Sequence, residues 1–371
     1  MQSLKLLTCA AALPLSLGSA LAATSQITSN DFAVLPTIVA GASTGLPTDS
    51  VSKRVDANTA SSAFSGVVSI NITHDGVSYI CSGTLVSRRD VVTAGHCIDT
   101  TGAGAVIDIT KSGNSVAVNF NAGPAAGPSV AVTATKVTMN PDYQGFGKCP
   151  VGVSGFCVND DIAVVHLGQD APADAKIYRI YNGAIGRGQL DTLVGYGRSG
   201  DGVNGYTTNA NFNVKRSGQN IIDLFDRDDE QGFVAGPREV WYADFDGGGK
   251  DYDCSHYGVC TAQLANDVET MIGGGDSGGP SFMQMLSGEY VLIGNNTFSS
   301  NLSSVANGAF GNYFGGMLVA AYIPFLNTAT DGQMSYASSA TSVPEPESWA
   351  LLLAGLATVG GKARRRERVR G

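Results

Sequence analysis

Between Gly66 and Ile80 apolar and polar residues alternate on either side of Asp75-Gly76, which predicts two half-buried strands joined by a tight turn. Short apolar runs recur at Val91-Val92, Val116 to Phe120, Val130 to Val137, Ile162 to Leu167, Leu190 to Val194, Tyr290 to Ile293 and Met317 to Ile323. Most end at Gly, Asn, Asp or Pro, residues that turn the chain rather than extend it. Helical periodicity is not sustained anywhere, and the one late helix expected, around Ala320 to Leu326, is weakened by Pro324. The pattern predicts an all-β chain built from barrels or sandwiches.

With 371 residues, 43% hydrophobic content and 48 glycines, the chain can bury one large core or two adjoining ones. Its two ends depart from the strand pattern. The first 22 residues hold one lysine, an apolar run and Ala20-Leu21-Ala22, a secretory signal for signal peptidase to cut after Ala22. At the other end Pro344-Glu345-Pro346 precedes an apolar run from Trp349 to Gly361, too short for an ordinary membrane span, and then six basic residues. This tail resembles the PEP-CTERM sorting signal of exported proteins in Gram-negative bacteria. The resemblance implies an exosortase as processing partner and a transient membrane association through the tail. Residues 328–342, small and polar, read as a flexible linker into it.

The formal charge of the whole chain is −9, and loss of both ends removes seven basic and three acidic residues, which brings it near −13. So acidic a protein is a poor partner for nucleic acid and is well suited to staying soluble outside the cell or in its envelope. Beyond Cys9 the cysteines fall into sequence neighbours: Cys81 with Cys97, Cys149 with Cys157, Cys254 with Cys260. An even number in an exported chain predicts three local disulfides, although other connectivities remain formally open. No pair has the two-residue spacing of a zinc ribbon, so no metal is assigned to them.

Three short motifs carry chemistry. Thr93-Ala-Gly-His-Cys97 places His96 beside a cysteine; Asp160-Asp161 leads directly into an apolar strand; Gly273-Gly-Gly-Asp-Ser-Gly-Gly-Pro280 sets Ser277 among glycines. Glycines allow a sharp turn that aims two amides at one point, as an oxyanion hole requires. A serine becomes a nucleophile only with a base to take its proton and a carboxylate to orient that base. The α/β-hydrolase elbow, which Gly-Asp-Ser-Gly-Gly also matches, needs a histidine after the serine. All four histidines, His74, His96, His166 and His256, precede Ser277, so chain order excludes that fold.

These motifs resemble the His, Asp and Ser segments of the trypsin-like (chymotrypsin-fold) serine peptidases, and Cys81-Ser-Gly-Thr-Leu-Val-Ser87, Asn140-Pro-Asp-Tyr143 and Val194-Gly-Tyr-Gly197 resemble framework segments of that family. The resemblance spans residues 55 to 327. It implies two six-stranded antiparallel β-barrels with the active site in the cleft between them, a polypeptide substrate and no cofactor. His96 then matches the general base, Asp161 its orienting carboxylate with Asp160 as the alternative, and Ser277 the nucleophile; Gly275 and Ser277 supply the oxyanion N–H groups.

Asp276 matches the aspartate that pairs with a newly freed N-terminus after a pro-segment is cut. Two starts compete, Ile38-Val-Ala-Gly41 by its likeness to Ile-Val-Gly-Gly and Val55 by following Arg54. Val55 lies 26 residues before Cys81 and Ile38 lies 43, and the shorter distance is close to the family's. The expected layout is therefore signal 1–22, pro-segment 23–54, barrels at 55–178 and 179–327, linker 328–342 and sorting tail 343–371. Met271, six residues before the nucleophile, occupies the pocket-floor position, and Asn296 and Phe298 are candidate pocket walls. An uncharged floor removes the attraction for Lys and Arg and points to apolar or small side chains. Residues 244–253 pack four aspartates around glycines, a composition that reads as a solvated acidic turn or as a calcium loop. The same residues also accommodate a catalytically inactive binding or adhesion module, and an esterase on the same barrels.

Overall fold

The computed structural model describes residues 25–26, 38–120, 129–301 and 305–337. The signal and sorting segments lie outside the described residues. Six strands close the first barrel: β1 (Val67–His74), β2 (Val77–Leu85), β3 (Asp90–Thr93), β4 (Ser115–Phe120), β5 (Val130–Met139) and β6 (Ala163–Leu167), and the two-residue strand Ser25–Gln26 adds to the sheet beside β2. Their order is β2-β1-β4-β5-β6-β3, and β3 pairs back onto β2, which closes the barrel. The hairpin read from the alternation is present. Asp75 and Gly76 both adopt positive φ, 48° and 79°, the geometry whose twist matches two antiparallel strands.

The second sheet holds β7 (Gln189–Gly195), β8 (Arg216–Ile222), β9 (Leu224–Arg227), β10 (Arg238–Asp244), β11 (Pro280–Gln284), β12 (Tyr290–Asn301) and β13 (Asn312–Leu318). Its order is β8-β7-β11-β12-β13-β10-β9. With the added edge strand β9 set aside, this repeats the first barrel's order of second, first, fourth, fifth, sixth, third. The repeat is topological. The second sheet curls without a ladder joining β8 to β10.

Two apolar clusters fill the barrels, one containing Ile70, Val91, Val118 and Val165 and the other Leu193, Trp241, Val291 and Phe314. A third joins the sheets, with Val67, Ile80 and Val164 from the first against Tyr196, Phe282 and Met317 from the second. The cleft is built over this shared core, so the two barrels hold it at a fixed width.

Several expectations require correction. Met317 to Ile323 is not one strand: β13 ends at Leu318, and a helix runs from Ile323 to Ala329 with Pro324 in its first turn, where the missing N–H costs nothing. The expected linker is packed down as far as Ala337, with Thr330, Met334 and Ala337 buried and Tyr336–Ala337 paired to Ile180–Tyr181. Residues 38–54, expected in the pro-segment, are part of the folded body, with Ile38, Val39 and Ala40 fully buried. All three local disulfides form, with Cα–Cα separations of 6.2, 4.9 and 4.3 Å in chain order.

Candidate active site

Strand β3 leads into a single helical turn, Gly95–Ile98, tied back to β2 by the Cys81–Cys97 disulfide. This turn carries His96, which is 5% exposed, toward Asp161, which is fully buried just before β6. The Asp161 carboxylate accepts two bonds from His96: Oδ1 from its backbone N–H and Oδ2 from ring Nδ1, each 2.6 Å. The grip sets both the ring's orientation and its tautomer, with the proton on Nδ1 and the Nε2 lone pair outward. Phe146 packs edge-on against the ring at 5.5 Å between centroids.

Asp160 is occupied elsewhere. It has φ of 64°, its Oδ1 accepts from Asn140 Nδ2 and its N–H donates to the Tyr322 hydroxyl. The other histidines are also committed: His166 bridges Asp90 and Thr138 across β3, β6 and β5, His256 bonds the Tyr252 carbonyl, and His74 sits beside exposed Asp75.

Ser277 comes from the second sheet's side, in the turn before β11. Its carbonyl accepts from Ser82 N–H at 2.8 Å, and Cys97 Sγ lies 3.7 Å from the same oxygen. Ser82 Oγ donates to the Gly275 carbonyl at 2.9 Å, so one residue of the first barrel clamps the serine loop twice. From behind, Gly278 N–H donates to Asn296 O and Asn296 N–H to Gly279 O. A Cβ at Gly278 would run into Thr93 and Ser82, which explains the glycine after the serine. Gly275, at φ of 105°, takes a conformation closed to most other residues. Among the described residues, the N–H groups of Asp276, Gly278 and Gly279 have backbone acceptors while those of Gly275 and Ser277 have none. These two amides are available to an oxyanion. No hydrogen bond joins the His96 ring to Ser277 among the described residues; such bonds commonly tighten only in the reacting complex.

Asp276 is fully buried, its Oδ1 accepting from Gly197 N–H at 2.6 Å and Oδ2 from Gly273 N–H at 2.8 Å. Burial pushes its carboxyl up to about 7, opposed by those two N–H bonds and by the charge of buried Arg216. The residues seated near it are not those expected. Val39 N–H donates to Met271 O at 3.2 Å, Ser199 Oγ donates to the Ile38 carbonyl and Thr270 Oγ1 to that of Val39. Met271 and Ser199 each lie two residues from a donor that holds Asp276. Val55 instead bridges to Arg216, and Arg54 is buried with its guanidinium bound to Asp49 at 2.6 Å and to the carbonyls of Val268 and Glu269.

Phe298 lines a cavity of about 610 Å³ with Phe156, Phe225, Tyr242, Tyr257 and Tyr313. Met271 and Asn296 do not line it. Met271 is fully buried among Ile38, Val39 and Phe314, and Asn296 serves the serine loop through its backbone. Two positioning residues were not expected from the sequence. Ser82 lay within a framework segment; Asn295 Nδ2 donates to the carbonyls of Asp161 and Thr93 and ties the second sheet to the residues flanking His96. A polar residue inside the apolar run of β12 was the only local sign of Asn295.

Residues 54–221 match the Trypsin family model, and residues 342–366 match the PEP-CTERM protein-sorting motif. The first match includes His96 and Asp161 and ends before Ser277. A trypsin-like protease of Streptomyces glaucescens is 26% identical over 225 residues, which are 58% of this chain and 63% of that one. The chain thus spans less than two thirds of that relative's length. A solved collagenase structure is similar at a TM-score of 0.43 and 17% identity, over 72% of this chain and 94% of the other.

Proposed function

From a chain whose residues 54–221 match the Trypsin family model and whose residues 342–366 match the PEP-CTERM sorting motif, we infer an exported serine endopeptidase. The observation that carries this reading is the double grip of Asp161 on His96 beside a serine loop with two free amides. Ser277 Oγ attacks the peptide carbonyl carbon while His96 Nε2 takes its proton. The N–H groups of Gly275 and Ser277 receive the negative oxygen, and Asp161 stabilises the imidazolium. His96 then protonates the leaving amine, and water, deprotonated by His96, releases the acyl group from Ser277. The preference proposed before the scissile bond is for apolar or small side chains, which the aromatic walls of the Phe298 cavity, Phe156, Phe225, Tyr242 and Tyr313, would accept in place of the core-packed Met271. A peptide-library profile should show it, and a preference for Lys or Arg would refute that assignment.

The activating cut is placed before Ile38 rather than Val55. Ile38 has φ of 65°, a left-handed conformation that costs a β-branched residue about 1–3 kcal/mol. Cutting its preceding bond abolishes that constraint and creates an ammonium on the residue whose carbonyl Ser199 holds, two positions from the Gly197 that donates to Asp276, whereas a cut after Arg54 would require its buried guanidinium to leave Asp49. Edman sequencing of active enzyme should begin Ile-Val-Ala-Gly, and a start at Val55 or Ala23 would overturn this. A fluorophosphonate probe should label Ser277 in that processed enzyme. No label would favour the binding module.

A further inference from the structure

The run of four aspartates at 244–253 is not a solvated turn. Asp244, Asp246 and Asp253 are 3%, 6% and 2% exposed, and Asp251 caps a helix at Tyr252–Tyr257 by accepting from Cys254 N–H. Asp223, fully buried in the bend between β8 and β9, joins them from a distant part of the chain. Carboxylate oxygens of Asp223, Asp244 and Asp253 lie within 4.8 Å of one another. Three of these six oxygens accept hydrogen bonds from the surrounding chain. Asp223 takes the Thr261 hydroxyl and Asp244 N–H, and Asp244 takes Asp253 N–H. Asp253 Oδ2 is buried with no partner.

Three buried carboxylates with no cation are strongly unfavourable, because desolvation and mutual repulsion act together. The ionisable side chains bearing on them offer no compensating charge: Asp246, Asp251 and Glu269 are acidic, and Tyr252 and Tyr257 are neutral. Among the described residues no Lys or Arg forms a salt bridge with any of them. We propose that Asp223, Asp244 and Asp253 bind one calcium ion, with Asp253 Oδ2 as the ligand otherwise left unpaired.

All three donors are hard carboxylate oxygens on buried residues, and such a site suits calcium, which tolerates irregular oxygen geometry, better than magnesium, which demands a near-octahedral shell and keeps several waters. The neighbouring sulfurs of Cys254 and Cys260 are spent in a disulfide and offer nothing to zinc. The ion would cross-link β10, the bend after β8 and the short helix. Asn220 Nδ2 donates to the carbonyls of Asp244 and Thr270, 2.7 Å each, so the site also braces the segment that runs into Met271 and the serine loop.

The test uses the full chain as Ser277→Ala, which prevents self-digestion, stripped with a chelator and titrated with CaCl2 or MgCl2. At pH 8, calorimetry should give one calcium site per chain, and 1 mM CaCl2 should raise Tm by about 5 °C, more than MgCl2 does. Asp253→Asn should lower calcium affinity at least about tenfold while the metal-free protein melts no lower than its parent. If that variant fails to fold, Asp223→Asn takes its place. No calcium-dependent shift at pH 8, or an undiminished one in the variant, overturns the site. None of these readouts depends on peptide hydrolysis, so they stand apart from the catalytic reading.

Discussion

Asp161→Asn is expected to leave the fold intact and to lower kcat on a peptide substrate by about 10⁴-fold near neutral pH. Asp161 accepts at both oxygens, from His96 N–H and from Nδ1, each at 2.6 Å. An asparagine must aim its NH2 at one of these donors. If it keeps the backbone bond through its oxygen, the NH2 meets Nδ1 and forces the ring proton onto Nε2. Ser277 then faces a donor instead of a base. The loss should fall on kcat with KM little changed, because no substrate-binding group is touched. A loss of less than tenfold would remove Asp161 from the proposed mechanism.

The second large effect separates activity from stability at one position. Asp276→Asn in the processed enzyme should lower kcat by about 10²- to 10³-fold, the range for a damaged oxyanion hole, since the new ammonium at Ile38 loses its partner. In the unprocessed chain the same change acts on stability in two opposed ways. The asparagine NH2 must face the N–H of Gly197 or Gly273, each of which donates to a carboxylate oxygen of Asp276, so the variant should melt lower at acid pH. The Asp276 carboxyl sits at about 7 against 3.8 as its ordinary value. Its favourable contribution is thus complete below about pH 4 and lost as pH rises to 7, and an asparagine escapes that loss. The Tm deficit of the variant, measured on a Ser277→Ala background, should therefore shrink from pH 4 to pH 8. A deficit that does not change with pH would mean that Arg216 already neutralises Asp276.

The amino-acid pattern made much of this legible. Alternation around Asp75-Gly76 identified the first hairpin, because strand period and turn chemistry act over a few residues. Strand β8, Arg216–Ile222, was not recognised because it buries Arg216 and Asn220 among its apolar residues. Remote carbonyls satisfy Asn220 Nδ2, through Asp244 and Thr270, and only Nε of Arg216, through Val51, while Nη1 and Nη2 of Arg216 are buried without a hydrogen-bond partner. Val55 was chosen by its distance from Cys81, a count along the chain that takes no account of the bend bringing Ile38 to Met271.

The sequence by itself determined the all-β class and the identity of the catalytic candidates, since each is written in neighbouring residues and in chain order, and it favoured local disulfides among connectivities that only the structure narrowed to one. The tertiary structure alone decided which groups support them. Ser82 reaches Gly275 across 193 positions and Asn295 reaches Asp161 across 134, and no local pattern encodes such pairings. Burial was the other tertiary decision. It turned an apparently solvated acidic run into a cage short of positive charge and placed Met271 in the core. Solvent exposure depends on what the rest of the chain packs against a residue, so charge in a sequence becomes chemistry only once the surrounding dielectric is settled.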